Sequence, residues 1–209
     1  MVSKMSLVSE VRRLQKSPIS NLVKNRLKEF RELGRKGNNE WFSELCFCIL
    51  TANSKARTAI SIQDKLGCDG FLCLDRTGLS NTIKEHKHRF HNTKAGFIVE
   101  ARRFRNIKDM LKKEKDPRRW LVKNVKGLGW KESSHFLRNI GYTDYAILDR
   151  HILGLMQRDG LIAGKPKTLN ENNYLETENR LRTVADRLKM SLAELDLYMW
   201  YMKTGKVLK

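Results

Sequence analysis

Long hydrophobic runs are missing from this chain of 209 residues, and none reaches the length that a bilayer crossing requires. A secretory start is missing too. Met1 to Arg13 carry a charged, helical pattern in place of a continuous apolar stretch, so an intracellular, cytoplasmic protein is expected. Cysteine is scarce: Cys46, Cys48, Cys68 and Cys73 form no C-x-x-C pair, and Cys46 and Cys48 sit in an apolar run as small hydrophobes would. That usage suits a reducing compartment. Negative charge is short as well, with 23 Asp and Glu against 42 Lys and Arg, a formal net charge of +19. Such an excess opposes compaction, so a polyanionic partner is the natural one. Nucleic acid comes first, because neutralising phosphates releases counterions. A membrane surface would also suit the charge, but the amphipathic segments are needed for a core, and no membrane partner is expected.

What remains is ample for a folded protein. Hydrophobic residues make up 40% of the chain, and its length allows one sizeable domain or two small lobes sharing a cleft. The apolar period is helical nearly everywhere and nowhere alternates as strands do, so the fold class is all-α. Leu7, Val11 and Leu14 mark a first helix closed at Ser17-Pro18. Ser20 caps a second with the face Val23, Leu27 and Phe30, stopping at Gly34. The basic link Arg35 to Asn39 reads as a lobe boundary, and Trp41 to Leu50 as a helix buried on most sides. Ser54 is a cap for the next helix, and Leu79 to Lys84 a short one in a stretch of uncertain order. A long basic helix is expected from about Thr93 to Lys113, with Ile98, Ala101 and Ile107 inward and Arg102, Arg103 and Arg105 toward DNA. Asp116-Pro117 starts another helix. The last begins at Ser191, with Glu194 completing a capping box, and ends at Gly205.

The densest chemistry lies in Val125-Lys126-Gly127-Leu128-Gly129-Trp130-Lys131. Gly127 and Gly129 allow a sharp turn that Leu128 anchors in the core, and a helix N-terminus after such a turn points N–H groups at a phosphate. An ordinary corner between two helices would look the same. Lys131 sits where a positive helix end and basic surroundings disfavour an ammonium, which makes a free amine and hence a nucleophile accessible. A phosphate contact or a solvated lysine is the plainer reading. Asp149, before Arg150-His151-Ile152, is where a helix cap belongs.

Gly127-Leu128-Gly129-Trp130-Lys131, followed eighteen residues after the lysine by Asp149, resembles the helix-hairpin-helix DNA glycosylase superfamily, whose best-known member is endonuclease III. Ile49 to Ala56 resembles the superfamily loop whose amide, here Asn53, fills the gap left by a flipped base. Asn92-Thr93-Lys94-Ala95 resembles the motif heading the helix before the hairpin. The resemblance implies a Schiff-base mechanism: the damaged nucleotide is extruded, Lys131 attacks the anomeric carbon, Asp149 stabilises the developing positive charge, and β-elimination cuts the strand. It also implies a hairpin of about residues 117–140 touching DNA through Gly127, Leu128 and Gly129. Two helical lobes would flank a cleft, one of residues 34–143 and the other of residues 1–33 plus 144–209.

One superfamily feature is missing. Endonuclease III carries four C-terminal cysteines that hold an iron–sulfur cluster, whereas no cysteine follows Cys73, so no cluster and no cofactor are expected. A short, cluster-free helical chain with a lysine nucleophile is similar to the second, mainly archaeal family of 8-oxoguanine DNA glycosylase/AP lyases. That likeness implies double-stranded DNA containing 8-oxoguanine as the partner and a monomeric enzyme. It implies Lys209 as a reader of the base, whose carboxylate, amine or both would accept or meet the N7 edge, with the aromatic Trp200 beneath. His86, His88 and His91 read as a basic DNA-facing loop, since nothing nearby completes a zinc site. Two alternatives stay open: a non-catalytic hairpin module that only binds DNA, and a glycosylase for another base lesion.

Overall fold

The computed structural model describes residues 5–166 and 168–209, and among them the chain forms helices and no strand. Helices α1 (Leu7–Gln15) and α2 (Ile19–Arg35) precede α3 (Asn38–Thr51), α4 (Ala56–Cys73), α5 (Arg76–Glu85) and α6 (His91–Ala101). Then come α7 (Ile107–Leu111), α8 (Pro117–Asn124), α9 (Trp130–Asn139), α10 (Arg150–Arg158), α11 (Glu171–Leu188) and α12 (Leu192–Thr204). Two hydrophobic cores organise them. One is built by α3 to α9, from Trp41 to Ile140. The other joins Leu7, Val11, Val23 and Phe30 of α1 and α2 to Leu148, Tyr174, Leu195 and their neighbours in the C-terminal segment. Helix α3 has no solvent face from Trp41 onward, as its unbroken apolar run anticipates.

Buried arginine–carboxylate pairs join the two cores. Arg118 on α8 donates to Glu178 on α11 at 2.6 and 2.9 Å, and Arg138 on α9 pairs with Asp196 on α12. Removing one partner of such a pair strands a buried charge, at a cost of about 3–5 kcal/mol. The cores also meet backbone to backbone. A Cβ on Gly34, near the end of α2, would lie 2.4 Å from the Ile140 carbonyl oxygen, so only glycine fits there.

Several expectations need correction. Helix α2 already begins at Ile19, so Ser20 lies inside it and Pro18 is at its cap, and Lys55 rather than Ser54 occupies the cap position of α4. The link after α2 is shorter than Arg35 to Asn39, since α3 already begins at Asn38 with Gly37 as its cap. The long basic helix is broken into α6, one 3₁₀ turn (Arg102–Phe104) and α7. Its apolar face survives the break, because Ile98, Ala101 and Ile107 are all buried. Its arginines do not all face outward. Arg102 donates to the carbonyls of Phe71 (2.9 Å) and Leu74, and Arg103 to that of Asn124 (3.1 Å), where α4 and α8 leave carbonyls without helical partners. Helix α11, capped by Asn170, adds an element beyond those expected from the sequence. No helix among the described residues is long and apolar enough to cross a membrane.

Candidate active site

The hairpin forms as its glycines suggest, but they do different work. Gly127 has φ +91°, and a Cβ there would lie 2.5 Å from Phe97, so both conformation and contact demand glycine. Gly129 is extended (φ −93°) and serves as the N-cap of α9. Leu128 between them is buried, pinning the turn to the first core. Lys131 is therefore the second residue of α9. Its ammonium pairs with its neighbour Glu132 at 2.9 Å, a partner not expected from the sequence, rather than with Asp149.

Asp149 is the N-cap of α10. Its Oδ1 accepts from the backbone N–H groups of His151 and Ile152, both at 2.8 Å. The cap uses one carboxylate oxygen, so capping and a second role are compatible. Lys131, Asp149, Trp200 and Lys209 line a single cavity of about 110 Å³, floored by His135, Arg138 and Asp196. Four residues spread from 131 to 209 in the sequence thus converge.

The floor is electrostatically tuned. His135 is packed edge-on against Phe47, with ring centroids 5.6 Å apart, and its imidazole is held well below its usual pKa by burial and by the cations Arg138, Lys131 and Lys209. Burial pushes Asp196 up to about 6 despite its pairing with Arg138. Behind Lys131, Lys94 is buried and donates to the Ile49 carbonyl at 2.7 Å; desolvation lowers its ammonium to about 8, opposed by Glu132 and aided by Lys131.

Trp200 stands at the cavity wall, edge-on to His151 with centroids 5.3 Å apart, and its indole N–H is buried without a protein partner. The Lys209 amine does not enter the cavity. It turns behind the wall to Glu44 Oε2 (3.0 Å) and Gln63 Oε1 (2.5 Å), above the Phe47 ring.

The cavity opens into a cleft of about 1050 Å³ rimmed by Lys55, Arg57, Arg89, Arg150, Lys165 and Lys206. Asn53 lies on this rim at the turn after α3, exposed, with a left-handed φ of +61°. His88, by contrast, does not face the cleft. It is buried and bridges the Leu50 carbonyl (3.0 Å) and the Phe90 N–H (3.2 Å), so the three histidines are not one DNA-facing loop. Among the described residues no group of His, Cys, Asp or Glu could hold a metal ion. Cys46 and Cys48 are buried in the first core and no cysteine follows Cys73, so the cysteines do not fit an iron–sulfur cluster.

Residues 23–190 match the family model for 8-oxoguanine DNA glycosylase. The 8-oxoguanine DNA glycosylase/AP lyase of Methanocaldococcus jannaschii is 50% identical over 208 residues, covering 98% of this chain and 100% of that one. The crystal structure of the M. jannaschii 8-oxoguanine glycosylase/lyase in complex with a 15mer DNA containing 8-oxoguanine gives a TM-score of 0.95 at 48% identity, over 98% of this chain and 100% of that one. A trapped endonuclease III–DNA covalent intermediate shares the fold, with a TM-score of 0.60 at 15% identity over 90% of this chain and 89% of that one. The chain belongs to the 8-oxoguanine DNA glycosylase family, built on the helix-hairpin-helix fold that endonuclease III also adopts.

Proposed function

We propose that this protein is a DNA repair enzyme that excises 8-oxoguanine from double-stranded DNA and then cuts the strand at the resulting abasic site. The observation that carries the reading is the convergence of Lys131, Asp149, Trp200 and Lys209 on one cavity at the bottom of a basic cleft. An extruded nucleotide fits that arrangement, since its sugar is out of reach inside the stack. Lys131 Nζ forms a bond to the anomeric carbon as the glycosidic C–N bond breaks and the base leaves. Asp149, with one oxygen fixed by its cap, offers negative charge to the sugar as it turns cationic and can take up the lysine proton. The sugar opens to an imine, loss of the neighbouring C2′ proton expels the 3′ phosphate, and hydrolysis releases the lysine. No step calls on a metal or a cofactor.

Base choice falls to Lys209 and Trp200. 8-Oxoguanine carries an N–H at position 7 where guanine has a lone pair, so an acceptor there discriminates by hydrogen-bond polarity. The Lys209 amine is engaged elsewhere, which leaves its main-chain oxygen to meet that N–H, with the Trp200 ring against the base. Asn53 fills the space the base vacates, and Gly127, Leu128 and Gly129 present the hairpin to the phosphates. The cleft is then the seam between a lobe of residues 34–143 and one of residues 1–33 plus 144–209. A single copy holds the whole site, so the enzyme acts as a monomer, inside the cell where the chromosome is.

Borohydride trapping across duplexes with 8-oxoguanine, an oxidised pyrimidine, a mismatched thymine or no lesion tests the activity. A covalent adduct is expected with 8-oxoguanine. Adducts with another lesion alone would reassign the substrate, and DNA binding without any adduct would leave a non-catalytic module.

The basic rim makes a second expectation. Neutralising about six phosphates gives a log–log slope of affinity against salt near −5. Charge-removing substitutions at Lys55, Arg57, Arg150 or Lys206 should each flatten it by about one, whereas Arg102 and Arg103, spent on carbonyls, should leave it unchanged. Equal flattening at Arg102 would place the DNA on the other side.

A further inference from the structure

Glu44 is a carboxylate in an apolar place. It lies on α3 and is 2% exposed, with Phe42, Leu45 and Phe47 of the first core around it in the same helix. A well-packed apolar residue would serve the core at least as well, so the charge marks a task other than packing. Its hydrogen bonds say which. Oε1 accepts from Asn139 Nδ2 at 2.6 Å, while Oε2 accepts from Gln63 Nε2 at 3.2 Å and from Lys209 Nζ at 3.0 Å. Among the described residues Lys209 is the cation paired with it.

Gln63 is oriented by the same pair. Its Nε2 donates to Glu44 and to Ser43 Oγ (3.1 Å), which turns its Oε1 to the Lys209 ammonium at 2.5 Å. The Phe47 ring underlies that ammonium, with its centroid at 4.2 Å. An anion, an amide oxygen and a π-face therefore form a socket for one amine, on the side of Lys209 away from the base cavity.

The tail reaches this socket from the other core. Gly205 takes a left-handed φ of +68° after α12, Val207 packs on the second core, and Arg26 Nη2 donates to the Val207 carbonyl at 3.3 Å. Two residues later Lys209 is fixed to the first core through its amine, at Glu44 and Gln63. The tail is thus held at both ends across the cavity wall.

We infer that Glu44 and Gln63 are positioning residues for lesion recognition, which grip the Lys209 amine from behind so that its main chain is presented to the base at a fixed place. This rests on the reading of Lys209 as the reader of the base, and the test separates the two. The readout is the single-turnover rate of 8-oxoguanine excision divided by the rate of trapping at a preformed abasic site, which has no base to read. Glu44→Gln keeps the shape and loses the charge. It should lower that ratio about tenfold to a hundredfold, the range of a charge-assisted hydrogen bond. Lys209→Met should lower it comparably, and the two together no further than either alone, because they break one interaction.

Stability gives a readout independent of activity. In the full chain Glu44→Gln should lower the melting temperature. In a chain lacking Lys209, whose Glu44 is left buried without its cation, the same change should raise it. The same sign in both chains would overturn the proposal, as would loss of abasic-site trapping in step with excision. If deleting Lys209 leaves the ratio unchanged, Lys209 is not the reader. If deletion lowers the ratio but Glu44→Gln does not, the reader stands and the socket does not. Should Glu44→Gln fail to fold, Gln63→Leu at a partly buried position is expected to lower the ratio about tenfold, the low end for a hydrogen bond to a charged group, and an unchanged ratio there also overturns the proposal.

Discussion

Lys131→Gln is expected to lose strand cleavage and borohydride trapping by at least about 10³-fold, the scale on which removing a catalytic nucleophile acts. Binding of lesion-containing duplex should stay within about threefold, because the cleft supplies its other cations from Lys55, Arg57, Arg89, Arg150, Lys165 and Lys206. The fold should survive too. Lys131 is partly exposed, and a glutamine amide can still donate to Glu132, so no buried carboxylate is stranded. Undiminished trapping would mean another amine reaches the sugar. Lys94 is the neighbour with the lowered pKa, about 8, but it is buried and its Nζ is committed to the Ile49 carbonyl. A lysine in that position stabilises a helix end and has no path to a nucleotide in the cleft.

Asp149→Asn is expected to slow base excision about 10²- to 10⁴-fold while the melting temperature barely moves. The two effects separate because the cap and the chemistry use the side chain differently. An asparagine oxygen can accept from His151 and Ile152 N–H as Oδ1 does now, and asparagine caps helices about as well as aspartate. What it lacks is the negative charge that a cationic sugar calls for. Turnover intact with a lowered melting temperature would reduce Asp149 to a cap. Asp149→Ala provides the contrast, since it removes both functions and should also cost about 1 kcal/mol of stability.

What could be read from the sequence was local. Gly127 and Leu128 define a turn within three residues, and Asp149 announces its helix by capping it, so the hairpin, Lys131 and the carboxylate stood out before any packing was known. The missed partners are all distant. Glu44 meets Lys209 across 165 positions and Arg118 meets Glu178 across 60. Neither pair leaves a periodic trace, because a single buried polar residue in an apolar run looks like an interruption. Arg102 and Arg103 carry the same ambiguity: a long cation near the surface looks alike whether it meets a phosphate or folds back onto a carbonyl, as both do here. Helix α11 did carry a signal, since Asn170 caps it and Tyr174, Leu181, Val184 and Leu188 share its buried face. Its many polar residues diluted that signal below notice.

Helix α3 links more than its length suggests. Glu44 and Phe47 on it hold Lys209 at the wall of the base cavity, and its final carbonyls are gripped by Lys94 and His88 just before the turn that carries Asn53. Its side chains are enclosed from Trp41 to Thr51, so the rod has little freedom to bend or slide. With the roles proposed for Lys209 and Asn53, reading the extruded base and plugging the hole it leaves would be tasks at two points of one stiff lever. A change that shifts the lever by a fraction of an ångström would then disturb both at once, and neither could be retuned through the helix while the other is kept.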